Sequence, residues 1–147
     1  MQILEIKDLK KESIEHLVEL SKNEGFNFLI RLVNEWGNGK NRFEGEHEEL
    51  YKVILDGEII GIGGINKNPY IEDEKEGRLR RFYIHPNYRK RRIGTRLIKK
   101  IIEDYKLKYE KLTLRTDNEI ASRFYESLGF KKVEDKMELN THELILR

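Results

Sequence analysis

The sequence has no cysteine among its 147 residues, so disulfides, thiolate metal sites and a cysteine nucleophile are all excluded. A reducing compartment fits that lack, and the cytoplasm is the expected location. Proline is scarce as well. Pro69 and Pro86 are the only two, and no Pro/Ser-rich linker, low-complexity tract or internal repeat marks a boundary. One domain over residues 1–147 is expected. Long apolar runs are also missing. The opening Met1 to Asp8 meets charge after a few apolar residues, so neither a signal peptide nor a membrane span is expected. His16, His47, His85 and His142 lack metal-ligand spacing, and without a His-Glu-x-x-His pattern no metal is expected.

What is present is charge over an adequate core. Charged residues make up 38% of the chain, hydrophobic residues 37% and aromatics 10%, which describes a solvated surface around a packed interior. The net charge of +2 hides an uneven distribution. Residues 77–102 hold ten Lys or Arg and no Asp or Glu, which leaves 19 basic against 27 acidic residues elsewhere, a net of −8. A local basic field in an otherwise acidic chain points to a compact anionic ligand or to a nucleic-acid patch.

Hydrophobic spacing predicts the order of elements. Gln2 to Ile6 reads as a short strand. Ile14, Leu17, Val18 and Ser21 share one helical face up to Gly25, and Leu29, Leu32, Val33 and Trp36 share another, ended by Gly37-Asn38-Gly39. The polar, glycine-rich stretch Gly37 to Gly45 is expected to be a surface loop free to move. Tyr51, Val53 and Leu55 alternate, Asp56-Gly57 makes a hairpin turn, and Ile59 to Ile65 forms the second strand of the pair. After Pro69 and an acidic turn, Arg78 to Ile84 is a strand ending at His85-Pro86. A strongly amphipathic helix follows from Ile93 to Tyr105, then a strand over Lys111 to Arg115. Ala121 to Leu128 make a short helix closed by Gly129, and strands over Phe130 to Val133 and Glu143 to Leu146 finish the chain. The class is α/β: a largely antiparallel N-terminal sheet joined to a β-α-β-α-β unit.

Between the strand ending at Ile84 and the helix starting at Ile93 lies Arg89-Lys90-Arg91-Arg92-Ile93-Gly94-Thr95. A helix start with free N–H groups attracts anions, four consecutive basic side chains add to that attraction, and Gly94 lets the backbone approach a ligand. A pyrophosphate suits such a loop. Taken alone, the run is equally a solvated basic surface. Arg89 to Gly94 matches the GNAT superfamily pattern of Gln or Arg, two variable residues, Gly, one variable residue, then Gly or Ala. A second block, Asn118, Ala121, Phe124, Tyr125, Glu126, Leu128, Gly129 and Phe130, matches a later signature of the same superfamily. The chain therefore resembles the GNAT N-acetyltransferases over roughly residues 48 to 133. One departure stands out: Arg92 occupies the first glycine position, where a positive φ is costly, so a reshaped cradle is expected.

The resemblance implies a mixed, mostly antiparallel central sheet of about six to seven strands, flanked by about four helices, with the fourth and fifth strands splayed. It implies acetyl-CoA as the acyl donor, its pyrophosphate held by residues 89–95 and its pantetheine beside Phe82, Tyr83 and Ile84. Asn118 matches a position that approaches the pantetheine or the amine, and it is equally a plain helix N-cap. Tyr125 matches the residue that protonates the leaving thiolate in many members; the alternative is core packing beside Phe124. An ammonium of pKa about 10.4 must lose a proton before attack. Leu79 stands where members place an acid, leaving Glu76, Glu46, Glu48 or water as candidate bases. The acceptor pocket implied lies within Leu29 to Tyr70, where Asn41, Arg42, Asn66 and Tyr70 suit a small polar amine and Arg42 could pair with a carboxylate. Trp36 and Phe43 are expected to be structural.

A small-molecule amine is thus the expected partner, with neither nucleic acid nor membrane, and a homodimer is left open. Two rival functions stand beside the enzyme: a CoA-binding sensor without turnover, and a nucleic-acid module using Arg78 to Lys100.

Overall fold

The computed structural model describes residues 1–71, 75–135 and 139–146. Strand β1 (Gln2–Glu5) is followed by helices α1 (Glu15–Asn23) and α2 (Phe28–Asn38). Next come β2 (Glu49–Leu55), β3 (Glu58–Lys67) and β4 (Glu76–Ile84), then α3 (Ile93–Tyr105), β5 (Lys111–Leu114), α4 (Glu119–Ser127), β6 (Lys131–Lys132) and β7 (His142–Ile145). One sheet has the order β1-β2-β3-β4-β5-β7-β6. All neighbours are antiparallel except β4 and β5, which the α3 crossover makes parallel. The expected mixed, mostly antiparallel sheet with four helices is therefore the observed fold. The acidic turn after Pro69 falls largely on residues 72–74, outside the described residues.

Two hydrophobic layers sandwich the sheet. On one face, Leu17 of α1 and Leu29, Leu32 and Trp36 of α2 pack on Leu50, Ile62 and Tyr83. On the other, Leu97, Ile98 and Ile101 of α3 and Tyr125 of α4 pack on Val53, Ile60, Leu79 and Leu112. Each fully buried Leu or Ile contributes about 1.5–3 kcal/mol of hydrophobic stabilisation, so the helical periodicity has a direct energetic basis.

Two expectations in the first half need correction. Helix α2 passes through Gly37 and stops only at Gly39, which takes φ 80°. A helical glycine weakens a helix without ending it, whereas a left-handed residue does end it. The stretch that follows is pinned, not free: Phe43 is buried against Gly64, and Asn41 and Asn66 exchange reciprocal amide hydrogen bonds of 2.9 and 3.1 Å.

Two irregularities in β4 position the site. Its ladder with β5 covers only Glu76–Lys111, Gly77–Leu112 and Arg78–Thr113, after which β4 runs on to Ile84 paired with β3 alone. The two strands are therefore splayed, as the fold class implied. Opposite Gly63 of β3, β4 also carries an extra residue: Ile62 faces Tyr83 but Gly64 faces Arg80, with Arg81 at φ 60°. This is a β-bulge, and it re-aims the side chains that follow it.

Candidate active site

The loop before α3 begins with Arg89, whose guanidinium is fully engaged. It donates through Nε to the carbonyl of Ile84 at 3.0 Å, and through both terminal nitrogens to Glu24 at 2.7 and 2.8 Å. Tyr83 donates its hydroxyl to the same carboxylate. The hydrogen bonds from Arg89 hold the Glu24 carboxyl below the ordinary carboxylate range. Arg89 thus ties the loop to the end of α1, while Lys90, Arg91 and Arg92 remain exposed.

Past Arg89, the backbone turns its donors outward. The amides of residues 90–95 bond to no protein acceptor among the described residues, and α3 has no side-chain cap. Lys90 and Arg92 both adopt left-handed backbone, φ 65° and 61°. The expected reshaping at Arg92 does not occur: this residue takes the conformation a glycine would supply, at a steric cost of about 1–2 kcal/mol. We predict that Arg92→Gly exceeds Arg92→Ala in stability by about 1 kcal/mol, since both remove the charge and only one relieves the strain. Urea denaturation midpoints of the two variants check this; equal midpoints would place the strain elsewhere.

Gly94 also has a packing role. A Cβ there would lie 2.9 Å from Cζ of Phe82, so the glycine lets α3 sit close against β4. Phe82 in turn stacks on Phe124 with centroids 5.5 Å apart and lies 6.0 Å from the Tyr125 ring. Tyr125 is buried among Phe82, Phe124, Phe130 and His142, yet its hydroxyl has no hydrogen-bond partner among the described residues. Burial raises its pKa, so the phenol stays protonated and able to donate.

Asn118 caps α4: its Oδ1 accepts from the amide of Ala121 at 3.0 Å. It also lines a cleft of about 460 Å³ between the first turn of α4 and the β6–β7 side, where Ser122, His142 and Thr141 are hydrogen-bonded in a row.

The remaining predicted residues lie on the α1–α2 face. Glu48 accepts from the amides of Gly45 and Lys67 and from Asn66 Nδ2, which staples the loop after α2 to β3. Glu76 accepts from Asn68 and sits 3.2 Å from Lys111 Nζ. Glu46 is exposed beside His47. Arg42 donates to the Trp36 carbonyl at 2.8 Å, so it closes the end of α2. Tyr70 lies with its ring 4.9 Å from the Arg78 guanidinium. The basic segment does not form one surface: Arg78 is buried and Arg80 and Arg81 half-buried on β4, Arg89 is clamped, and Lys100 pairs with Asp104 on the outside of α3.

With this geometry in hand, the chain can be set beside known proteins. The model of the Acetyltransferase (GNAT) family matches residues 12–130. The chain belongs to this family. A presumed acetyltransferase from Exiguobacterium sp. 255-15 is 27% identical, with a TM-score of 0.87 over 98% of this chain and 92% of that one. An acetyltransferase of the GNAT family from Staphylococcus aureus Mu50 is 21% identical over 99% of both chains, with a TM-score of 0.76. An aminoglycoside 6'-N-acetyltransferase complexed with coenzyme A has the same fold at 16% identity, with a TM-score of 0.71 over 100% of this chain and 98% of that one.

Sequence reasoning missed Glu24 and the arginines of β4 in this acetyltransferase. Glu24 carries no local signal, because its partners Tyr83 and Arg89 are distant in sequence. Arg78-Leu79-Arg80-Arg81 did carry one, since three arginines in an otherwise apolar strand are not a solvated run. Among the described residues, no group of His, Asp or Glu is placed to hold a metal ion, and no helix is long and apolar enough to cross a membrane.

Proposed function

We propose that this acetyltransferase is a single-domain enzyme that moves acetyl from acetyl-CoA directly to the primary amine of a small acceptor. The observation that carries the donor assignment is the run of unbonded amides at residues 90–95 on an uncapped helix start. Unbonded backbone donors at a helix start, beside the exposed Lys90, Arg91 and Arg92, are the chemistry a pyrophosphate needs. The edge of β4 that faces away from β3 at Phe82 to Ile84, beyond the end of the β5 ladder, offers backbone groups to the pantetheine. Asn118 Nδ2 remains available for the same arm.

In the reaction, the neutral amine nitrogen attacks the thioester carbonyl carbon, and the carbon–sulfur bond then breaks. Tyr125 donates its proton to the departing thiolate. The amine proton leaves through water, because Glu48 and Glu76 are committed to internal hydrogen bonds and Glu46 stands exposed beside His47. Asn41 and Asn66 shape the acceptor side, and Tyr70 covers it.

Thermal shift with CoA, followed by thiol release from acetyl-CoA across a panel of amines, tests the reading. We expect both stabilisation by CoA and amine-dependent release. At a CoA concentration of about 100 Kd, stabilisation is about 2.7 kcal/mol. Stabilisation without release for any amine would make the chain a CoA-binding sensor. Stabilisation by an oligonucleotide and none by CoA would overturn the donor assignment.

A further inference from the structure

The β4 bulge gathers cations on one face of the sheet. Residues directly opposite in an antiparallel pair share a face, and Arg78 and Arg80 lie opposite Asn66 and Gly64. Gly64 faces the buried Phe43, which belongs to the α1–α2 layer. Without the bulge, Arg81 would alternate to the α3 face. With it, Arg81 reaches Glu35 of α2 at 3.0 Å and joins the other two. Three arginines therefore stand together where the β4–β5 ladder ends, on the α1–α2 face of the sheet.

Their partners do not balance them. Arg78 donates to Asn140 at 2.5 Å and lies under the Tyr70 ring, with no carboxylate within ion-pairing distance among the described residues. Arg81 has Glu35, but its side chain is only 8% exposed and its Nε is a buried nitrogen without a hydrogen-bond partner. Arg80 forms no hydrogen bond or ion pair among the described residues although it is half-buried. Among the described residues only Arg81 has a carboxylate at ion-pairing distance, with Glu76 acting on Arg78 and Glu35 and Glu48 on Arg80 from farther off, so the three partly desolvated guanidiniums keep capacity for a further anion. Burial lowers the pKa of all three guanidiniums, which reflects the same desolvation.

We infer that Arg80, flanked by Arg78 and Arg81, binds an anionic group carried by the acceptor itself, so that the substrate is an amine bearing a carboxylate or a phosphate. This rests on the acetyl transfer proposed above. A guanidinium presents a planar fork to such a group and stays charged through any working pH. Arg80 also lies near the end of the β4–β5 ladder, where an amine approaching from the α2 face would meet it. The carboxylate role read from sequence for Arg42 moves to Arg80, because Arg42 spends its Nε on the end of α2.

The test uses amines in pairs: α-amino acids beside their carboxamides, and phosphoethanolamine beside ethanolamine. Thiol release from acetyl-CoA gives kcat/KM for each. We expect at least one anionic member to exceed its neutral partner by tenfold or more. Arg80→Gln should collapse that ratio through KM, Arg80→Lys should restore part of it, and the KM for acetyl-CoA should stay within twofold throughout. Absence of preference in both kinds of pair, or a preference that survives Arg80→Gln, overturns the inference. If no amine is acetylated, the transfer reading fails separately. Calorimetric titration of the same pairs into the CoA-bound protein then decides the arginine site. Tighter binding of an anionic member, lost in Arg80→Gln, upholds it, and equal or undetectable binding of both members rejects it.

Discussion

Replacing Tyr125 with Phe lowers kcat by about 10²- to 10⁴-fold while the protein stays folded, which is the range for losing a positioned general acid. The two halves of that expectation have separate physical grounds. A thiol of pKa about 8.5 leaves as its anion unless a donor meets it, and a phenol held protonated by burial is such a donor. Stability is spared because the Tyr125 hydroxyl has no hydrogen-bond partner among the described residues. Removing an unpartnered polar group from an aromatic cluster leaves no orphaned atom behind and keeps the ring packing on Phe82, Phe124 and Phe130. Steady-state kinetics with saturating acceptor, a thermal melt and the affinity for CoA together check it. A folded variant with unchanged kcat would return Tyr125 to a packing role.

Leu97→Ala should destabilise the fold by about 2–5 kcal/mol, against a total stability of about 5–15 kcal/mol for a domain of this kind. Leu97 is 0% exposed, and its Cδ2 lies 3.2 Å from where a Cβ on Gly63 would stand, so truncation leaves a cavity between α3 and the centre of the sheet. Leu107, only ten residues further and 74% exposed, is the matching control; its Ala variant should stay within about 0.5 kcal/mol of the parent. Urea denaturation of the three proteins reads the difference. The functional consequence follows from position, because α3 also carries the loop of residues 90–95 at its start. Loosening the helix should raise the KM for the donor along with lowering stability. Equal midpoints for the two variants would mean that α3 is not held by this packing.

The arginines of β4 change how the basic segment is understood. Read along the chain, ten Lys and Arg without one acidic residue form a single positive field. In the folded protein they separate: Arg89 fastens the loop to Glu24, residues 90–92 stand exposed in the loop with the unbonded amides, Arg78, Arg80 and Arg81 lie on the α1–α2 face of β4, and Arg96, Lys99 and Lys100 are exposed on α3.

The sequence by itself determined the order and type of nearly every element, because apolar spacing at periods of 3.6 and 2 follows from which face of a helix or strand must leave water. It also placed the loop at 89–95 between strand and helix, and Tyr125 on a short helix closed by Gly129, since these depend on local turn chemistry and contiguous residues. Tertiary structure decided the rest. The conformation of Arg92 was set by the path of the loop into α3, which overrode the local preference against a positive φ. Gly94 owes its place to Phe82, a contact invisible at a separation of twelve residues. The loop after α2 is held by Phe43 and the Asn41–Asn66 pair because β3 lies beneath it. Above all, the one-residue bulge at Arg81 is a matter of register between β3 and β4, and register is fixed only when two strands meet. That single extra residue turns an alternating strand into one presenting Arg78, Arg80 and Arg81 to the same face.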